Sequence, residues 1–364
     1  MPLRRQAKQA GAAIRGFRLS KKTPPNFFSH AHLFTYDKSI RLRNSVLTLD
    51  ARQYSEACCI SHAHTDHIRT HRRVFATPPT IAFMKQRVRS VQATTVNFNE
   101  PFDFDDDKIT FLPAGHILGS AQILVERAGQ SLLYSGDFNM EKSAAAEPLQ
   151  LAPIVQQKNL MESRSNVLIM ECTFGNPRYQ FPPREEIMAR LCDWAHQTLR
   201  DGCVPTVFAY ALGKSQEVMK ILSDNGFALS VHPAILRLAK IYENFGYHFG
   251  EVAPYRRGEP VEQRVLILPS SARRTRQVEK IANKRTLYLS GWGIDANAKF
   301  RFGVDEALPL SDHADFNGLI EYARRVNPQK IFTTHGPADF ARHLRGHGYD
   351  AEPLGAPPAQ GELF

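Results

Sequence analysis

The sequence of 364 residues lacks any uninterrupted apolar run close to the ~20 residues that a membrane-spanning helix needs. Typical candidates, such as residues 265–268, have the length of a strand. We therefore exclude a membrane protein. Internal repeats and low-complexity tracts are also missing. With 43% hydrophobic and 23% charged residues, the chain is expected to form an ordinary globular core, divided into roughly one to three domains.

Cysteine is scarce, and no Cys-x-x-Cys pair is present. The five cysteines are odd in number, and most have apolar neighbours; they are Cys58, Cys59, Cys172, Cys192 and Cys203. This usage is typical of free thiols rather than of a disulfide framework or a cysteine-zinc site. It predicts a reducing compartment, and we expect a cytoplasmic protein.

Acidic residues are missing from the start of the chain up to Asp37, whereas seven basic residues occur there. They supply +7 of the net charge of +10 and are Arg4, Arg5, Lys8, Arg15, Arg18, Lys21 and Lys22. We interpret residues 1–36 as a basic arm. An organellar transit peptide, an arm that contacts polyanions and a solvated tail all fit this composition. The absence of an apolar segment excludes a secretory signal.

Short apolar runs that end directly before a histidine or a carboxylate recur along the chain. The runs and the polar residues that follow them are 57–60 before His62, 109–112 before His116, 132–135 before Asp137, 167–170 before Glu171, 307–310 before His313, and 330–334 before His335. Strand ends are rigid anchors, so this pattern brings many ligands to one edge of a sheet. We expect the active site at that edge.

The pattern of predicted secondary structure changes after Glu171, where helical and strand-like segments alternate. Helices are predicted over 184–200, 215–224 and 235–245, and strands over 204–210, 264–269 and 286–289. The pattern predicts an inserted domain. The chain is thus divided into the basic arm (1–36), a first domain in two parts (37–172 and 295–364) and the insertion (173–294).

The segment His62-x-His64-x-Asp66-His67 offers four potential metal ligands in six residues. In a strand, His62 and His64 share a face and can hold one ion, while the turn that follows directs Asp66 and His67 to a second. Further ligands are available downstream: His116 for the first ion, His335 for the second, and Asp137 as a bridge. Imidazole and carboxylate together favour two zinc ions, with manganese as the alternative, over calcium.

Two ions about 3.5 to 4 Å apart promote in-line displacement at phosphorus. Cleavage of a phosphodiester also needs a proton for the leaving oxygen. Glu171 and His313 lie outside the ligand count, and a carboxylate that orients a histidine keeps it protonated as a general acid. Considered separately, Glu171 and His313 could each instead be a structural polar residue whose hydrogen bonds are made within the fold.

Other polar motifs are interpreted with alternatives. Leu212-Gly213-Lys214-Ser215 resembles the end of a P-loop but has Phe208 where that motif needs glycine, so Lys214 either contacts a backbone phosphate or only opens a helix. The pairs Arg256-Arg257 and Arg273-Arg274 either line a nucleic-acid channel or form a solvated face.

Taken together, these motifs resemble a known family. Asp50, the His62–His67 segment, His116 and Gly136-Asp137 are similar to the successive motifs of the metallo-β-lactamase fold. Three further positions resemble motifs of its nucleic-acid-processing branch, the β-CASP nucleases; these are Glu171, His313 and His335. The resemblance implies an α/β fold, with an αββα sandwich of two sheets and outer helices, and an inserted β-CASP domain that covers the metals.

Within that branch, four segments resemble most the bacterial ligase-associated DNA exonucleases; they are residues 173–179, 208–214, 290–292 and 310–315. The resemblance implies two sets of zinc ligands bridged by Asp137; these are His62, His64 and His116, and Asp66, His67 and His335. It also implies that Glu171 with His313 handles the leaving-group proton, with Asp66 as a further catalytic residue, and that Asp50 supports the first histidines from behind. Cys172 departs from the family pattern, which usually has a small hydroxyl residue there.

The leading functional hypothesis is a metal-dependent hydrolase, a DNA exonuclease that works in ligase-associated repair. Its expected partners are nucleic acid, with DNA favoured over RNA, and a DNA ligase or helicase of the same pathway. An RNA-processing nuclease of the same branch is the nearest alternative. A small-ester or thioester hydrolase and a non-catalytic nucleic-acid-binding subunit are more distant ones.

Overall fold

The computed structural model describes residues 32–88, 92–151 and 166–355. The basic residues between Arg4 and Lys22 lie outside the described residues, so the interpretation of the basic arm stays a prediction. Among the helices of the described residues, none is both long and apolar enough to cross a membrane.

The first sheet has six short strands in the order of the chain. They are β1 (Phe34–Tyr36), β2 (Ile40–Leu42), β3 (Leu47–Leu49), β4 (Ala57–Cys59), β5 (Val74–Ala76) and β6 (Ala93–Thr95). The first three pair antiparallel, and β3 to β6 pair parallel. The carboxyl ends of β3 and β4 therefore meet at the same edge.

The second sheet has seven strands in the order β19-β18-β11-β10-β9-β8-β7. They are β7 (Phe102–Phe104), β8 (Asp107–Pro113), β9 (Ala121–Arg127), β10 (Gln130–Tyr134), β11 (Asn166–Glu171), β18 (Lys330–Thr334) and β19 (Ala351–Pro353). β10, β11, β18 and β19 are parallel, whereas β7 to β10 form an antiparallel meander. The parallel half places the ends of β10, β11 and β18 side by side.

Eight helices occur in the described residues. They are α1 (Pro78–Arg87), α2 (Arg184–Arg200), α3 (Lys214–Asp224), α4 (Pro233–Asn244), α5 (Arg276–Glu279), α6 (Ala298–Phe302), α7 (Phe316–Val326) and α8 (Phe340–Gly346). In α7, the buried residues recur at helical spacing and form one apolar face. The Asp315 carboxylate caps its start by accepting a hydrogen bond from the Gly318 amide at 2.7 Å.

The two sheets pack face to face, and β11 shows how the core is built. Val167 and Ile169 belong to the apolar cluster between the sheets, whereas Leu168 and Met170 contact the cluster that contains α7 and α8. This follows from the alternation of side chains along a strand, and burial on both faces explains the continuous apolar run. The predicted α/β sandwich with outer helices is confirmed.

The third sheet is entirely parallel and has the order β14-β13-β15-β12-β16-β17. Its strands are β12 (Val204–Ala209), β13 (Leu229–Val231), β14 (Val252–Pro254), β15 (Val265–Pro269), β16 (Lys284–Leu289) and β17 (Glu306–Leu308). Helices α2, α3 and α4 share its largest core cluster, which also includes α1 of the sandwich. Because β17 lies after residue 294, the third sheet extends past the predicted end of the insertion, and the domain boundaries stay a proposal.

A buried ion cluster joins the helices of the third sheet to the sandwich. Glu217 of α3 accepts hydrogen bonds from Ser143 Oγ at 2.6 Å and Lys214 Nζ at 2.9 Å. Its further partners are the Ala144 amide at 3.2 Å and the Arg184 guanidinium. Arg184 also donates to the Ser311 carbonyl at 2.8 Å. Burial alone would raise the pKa of Glu217, but the charges of Arg184 and Lys214 lower this pKa to about 2.

The Glu217→Gln variant is expected to be about 3–5 kcal/mol less stable at pH 7, because it leaves two buried cations without their carboxylate. The folded-state pKa of Glu217 is lowered, so the stabilisation is present above the ordinary pKa of 4.5 and is lost as pH falls towards about 2. Urea unfolding of wild type and variant at pH 7 and at acidic pH measures this. Glu321→Gln is the matched control, because the partly exposed Glu321 also has a lowered pKa, through hydrogen bonds from Arg324 and Arg325. Equal losses in the two variants would contradict the assignment.

Candidate metal centre

The candidate ligands lie where strands of the two packed sheets end. His62 follows β4, His116 follows β8, Asp137 follows β10 and His335 follows β18. The segment from His62 to His67 is a loop and turn after β4 rather than a continuation of the strand. The expectation that His62 and His64 share a strand face is therefore wrong, although the loop still brings both rings together.

Two residues of this edge have strained backbones. Asp50 has a φ of 41° and His335 a φ of 51°, in the left-handed region that costs non-glycine residues of order 1–3 kcal/mol. At the next position, a Cβ on Gly336 would lie 1.9 Å from the Cys172 carbonyl oxygen. Glycine is required there, and it lets the His335 segment lie directly against the end of β11.

The first ligand group contains His62, His64, His116 and Asp137, whose ligand atoms all lie within 4.8 Å of one another. His64 Nδ1 is 3.2 Å from His62 Nε2 and 3.1 Å from His116 Nε2. Asp137 Oδ2 is 3.4 Å from His62 Nε2 and 3.8 Å from His116 Nε2. The structure thus brings together the three histidines of the first predicted site and the predicted bridging carboxylate.

The second group contains His67, Asp137 and His335. Asp137 Oδ2 is 3.5 Å from His67 Nε2, and Asp137 Oδ1 is 4.0 Å from His335 Nδ1. The Asp66 carboxylate approaches His67 Nε2 at 3.6 Å but its side chain is 61% exposed. Asp137 is therefore shared by both groups, and Asp66 stands at the open side of the second.

Two buried nitrogens of the second group have no hydrogen-bond partner. They are His67 Nε2 and His335 Nδ1. Unpaired buried nitrogens are unfavourable unless something else satisfies them, and a cation does so through their lone pairs. Imidazole and carboxylate ligands fit zinc, and a Cys ligand is not needed.

Asp50 orients the histidines from behind. Its Oδ2 is 2.7 Å from His67 Nδ1 and accepts a hydrogen bond from Tyr134 at 2.9 Å. It also accepts hydrogen bonds from the Ser61 amide at 2.7 Å and from Ser61 Oγ at 2.5 Å, and Ser61 Oγ is 3.0 Å from His62 Nδ1. A proton on His67 Nδ1 leaves Nε2 as the ligand atom. Asp50 therefore supports His67 directly and His62 only through Ser61.

The Asp50→Asn variant is expected to bind zinc about 10- to 100-fold more weakly, because an amide supports the histidine tautomers less well than a carboxylate. Titration with a competing chelator measures the change in affinity. The matched control is Asp305→Asn, which replaces a carboxylate that accepts hydrogen bonds from Thr286 in the third sheet. The same loss of zinc affinity in both variants would mean that Asp50 acts through general stability.

Two backbone carbonyls to which the sequence analysis assigned no role fix further ligands. His64 Nε2 is 3.1 Å from the Leu212 carbonyl, and His116 Nδ1 is 2.8 Å from the Asp312 carbonyl. Both carbonyls follow strands of the third sheet. Sequence reasoning missed them because a carbonyl acts as an acceptor whatever the side chain.

The electrostatics keep most of the imidazoles neutral. Burial lowers the pKa of His64 to about 4, with the charge of His116 adding to the effect, and burial also lowers the pKa of His62, His116 and His335. Burial alone would raise the pKa of Asp137, but the charges of His67 and His62 hold it well below its ordinary value. His67 is the exception, because burial alone would lower its pKa but the Asp137 and Asp50 carboxylates raise it well above the ordinary value. Imidazoles bind a metal in the neutral state and carboxylates in the ionised state, so a bound cation would displace the proton of His67 Nε2.

Glu171 and His313 form a pair beside the ligand groups. His313 Nδ1 is 2.7 Å from Glu171 Oε1, and Glu171 is held by the Phe138 and Thr173 amides at 3.2 and 3.0 Å. Burial alone would lower the pKa of His313, but the Glu171 carboxylate raises it to about 10. His313 also forms a compact group with Asp137 and Glu171. A cavity of about 340 Å³ opens beside His313, lined also by Arg184 and Asp315.

Lys214 is 1% exposed. Its ammonium lies 2.9 Å from Glu217 and 3.9 Å from Asp312. These contacts favour the interpretation that Lys214 opens helix α3 and closes the ion cluster, over direct contact with a substrate phosphate.

The chain is similar to several known proteins. The family model described as "Zn-dependent metallo-hydrolase RNA specificity domain" matches residues 299–353. A "Probable DNA ligase" of Opitutus terrae is 37% identical over 313 residues, which are 84% of this chain and 29% of that protein. The "Endoribonuclease ysh1" of Schizosaccharomyces pombe is 29% identical over 198 residues, which are 45% of this chain and 25% of that protein.

One further relative and one solved structure match over more of their own length. The "Probable RNase MJ4" of Methanocaldococcus jannaschii is 23% identical over 70% of this chain and 69% of that protein. A solved structure of a protein of unknown function from Enterococcus faecalis has a TM-score of 0.57 at 13% identity and covers 82% of this chain and 79% of its own, which supports the fold alone. By contrast, the chain spans less than a third of the ligase and endoribonuclease relatives.

Proposed function

Because the chain belongs to the β-CASP family of metallo-β-lactamase-fold nucleases, we propose that it hydrolyses phosphodiester bonds in DNA, from an end of the strand. The observation that carries the proposal is one carboxylate, Asp137, shared by two histidine groups next to the Glu171–His313 pair. A site for two cations with an adjacent proton donor is suited to hydrolysis of a phosphodiester.

The protein residues have separate tasks in this reaction. Zinc ions, when bound, activate water and neutralise charge that develops on the attacked phosphate. His62, His64, His116 and Asp137 would hold one ion, and Asp66, His67, His335 and Asp137 the other. Glu171 binds His313 Nδ1, which leaves Nε2 to donate a proton to the leaving oxygen as the phosphorus–oxygen bond breaks. The attacking oxygen stays on phosphorus, and the leaving strand departs with a hydroxyl group.

DNA is the proposed substrate because the relative that covers 84% of this chain is named a probable DNA ligase. On the same ground we propose that the protein acts in ligase-associated repair, beside a DNA ligase or helicase. We also propose a cytoplasmic location, since the five cysteines are free thiols in the structure. Processing of RNA is the second candidate, because other relatives are endoribonucleases and the matched family model is described by RNA specificity.

The test uses the purified protein with zinc or manganese on end-labelled single-stranded DNA, duplex DNA and RNA of the same sequence. Progressive loss of DNA from one end is expected, and the direction of loss gives the polarity. Preferential cleavage of RNA would overturn the DNA assignment, because the 2′-hydroxyl is the main difference that the site reads. Internal cleavage of DNA would overturn the assignment of an exonuclease.

A further inference from the structure

Helix α1 contacts both of the loops that carry the histidines of the first ligand group. One loop holds His62 and His64, and the other holds His116. The helix runs over ten residues (Pro78–Arg87), which corresponds to about 15 Å. The proposed chemistry gives it no task. Its start contacts the His116 loop, and its end contacts the loop of His62 and His64.

The start of α1 binds the His116 loop through two hydroxyls. Thr77 and Thr80 are buried, and their Oγ1 atoms donate to the Gly119 carbonyl at 2.6 and 3.1 Å. Gly119 has a φ of 78°, and a Cβ there would lie 2.7 Å from Pro79 Cβ and 2.8 Å from Thr77 Oγ1. The loop therefore lies against the first turn of the helix more closely than a larger residue would allow.

The His116 loop is compact, so a hold on Gly119 extends to His116. The amides of His116 and Ile117 donate to Ser120 Oγ at 3.1 and 3.2 Å, and the Ser120 amide donates back to the Ile117 carbonyl at 2.9 Å. Ser120 is buried. A displacement of Gly119 would therefore move the His116 ring with it.

The end of α1 binds the other loop through Arg87. Its Nη1 donates to the Ala63 carbonyl at 3.1 Å, and Ala63 is a buried residue between the two ligands His62 and His64. Burial lowers the pKa of Arg87. A guanidinium that is partly removed from water needs hydrogen-bond acceptors, and the Ala63 carbonyl is one of them.

The side of α1 packs against α4 of the third sheet. The Phe83 ring lies 5.5 Å from the Tyr242 ring, and both side chains are fully buried. Gln86 Nε2 also donates to the Arg237 carbonyl at 3.3 Å. Close packing resists displacement of the helix, so its two ends stay at a fixed separation.

We propose that α1 is a spacer that sets the separation of the two ligand loops, with Thr77, Thr80 and Arg87 as positioning residues for the first zinc ion. Hydrogen bonds from a rigid element hold ligands in the geometry that a metal needs. All three histidines of the first ligand group come from these two loops, whereas the second group takes His335 from the end of β18. The first ion should therefore depend more on the spacer. The inference rests on the metal ligands of the proposed function, but not on the substrate.

The test measures the affinity of full-length protein for each of two zinc ions by competition with a chelator. Thr80→Val and Arg87→Met, at opposite ends of the helix, are each expected to raise the Kd of the first ion about tenfold and to leave the second nearly unchanged. The His116→Ala variant identifies the step that belongs to the first ion, because His116 occurs in that ligand group alone.

Two control variants accompany these measurements. Lys85→Met is the matched control for Arg87→Met, since Lys85 is exposed in the last turn of the same helix. Thr80→Ser keeps the hydroxyl that donates to Gly119. Both controls are expected to bind the two ions like wild type.

A spectroscopic measurement separates positioning from general stability. With cobalt(II) in place of zinc, the visible absorption reports the coordination geometry of the ion. The spectrum of the first ion is expected to change in Arg87→Met and to stay the same in Lys85→Met. A lower free energy of unfolding in urea, with an unchanged spectrum and unchanged zinc affinity, would make Arg87 a structural residue and overturn the spacer.

The outcomes also distinguish this inference from the proposed function. Equal weakening of both ions in Thr80→Val and Arg87→Met, or of the second ion alone, would overturn the spacer. A wild-type protein that binds two zinc ions but cleaves no nucleic acid, with the first ion weakened in both variants, would overturn the proposed function and leave the spacer standing. A wild-type protein that binds no zinc would overturn both.

Discussion

The Asp137→Asn variant is expected to lose tightly bound zinc and to hydrolyse phosphodiesters roughly a thousandfold more slowly, or worse. Asp137 is the carboxylate shared by both ligand groups, so its loss weakens two cation sites at once. Bound metals supply several kcal/mol of charge stabilisation, and each step of about 1.4 kcal/mol is a tenfold change in rate. Metal content by mass spectrometry and kcat/KM on a phosphodiester measure the two effects.

Asp224→Asn is the control for this experiment, because Asp224 is exposed on α3 and pairs with Lys220. It should retain full zinc content and full activity. An Asp137→Asn protein that still holds two zinc ions and keeps wild-type turnover would remove Asp137 from the metal centre, and with it the observation that carries the proposed function.

The His313→Ala variant is expected to lose about 10²- to 10⁴-fold in kcat on a nucleic-acid strand, the range typical of a general acid, while its zinc content stays the same. The reason is geometric: Glu171 holds one ring nitrogen at 2.7 Å and leaves the other for the leaving oxygen. The defect should shrink for a nitrophenyl ester, since nitrophenolate departs without a proton. Comparison of the two leaving groups isolates proton donation.

The main alternative is that His313 is a zinc ligand, because its ring also forms a compact group with Asp137 and Glu171. The zinc content of His313→Ala distinguishes the two roles. Loss of one zinc ion in His313→Ala would make it a ligand rather than a proton donor. The exposed His248 provides the control, and His248→Ala should match wild type with both leaving groups. An equal defect with the strand and the nitrophenyl ester would also contradict the acid assignment.

Elements with a long periodic pattern could be predicted from the sequence. The helix predicted over 184–200 is α2 (Arg184–Arg200), because seventeen residues contain enough turns to show a buried face. The strands β13 (Leu229–Val231) and β14 (Val252–Pro254) were missed, since three residues have too little alternation to be recognised. The sheet order also depends on pairings between distant segments, for which a single sequence has no local signal.

The candidate site also has features that could be predicted from the sequence and features that could not. The ligand types of Asp137 and His335 and their places after strands can be read from the sequence, and the structure brings these residues together. The open position of Asp66 depends on the turn that follows β4, and its exposure could not be read from the motif. The left-handed backbone of Asp50 is also a tertiary effect, because the local propensity of aspartate does not require it.

The carbonyls of Leu212 and Asp312 link the metal centre to the position of the third sheet. Each carbonyl holds a ligand histidine in the ring orientation that a cation needs. The binding of zinc is therefore coupled to the packing of the third sheet against the sandwich. Such coupling is reciprocal. Zinc that binds the docked state in preference stabilises it by RT ln(1 + [Zn]/Kd), and a substrate strand that shifts the third sheet would change the affinity for zinc in return.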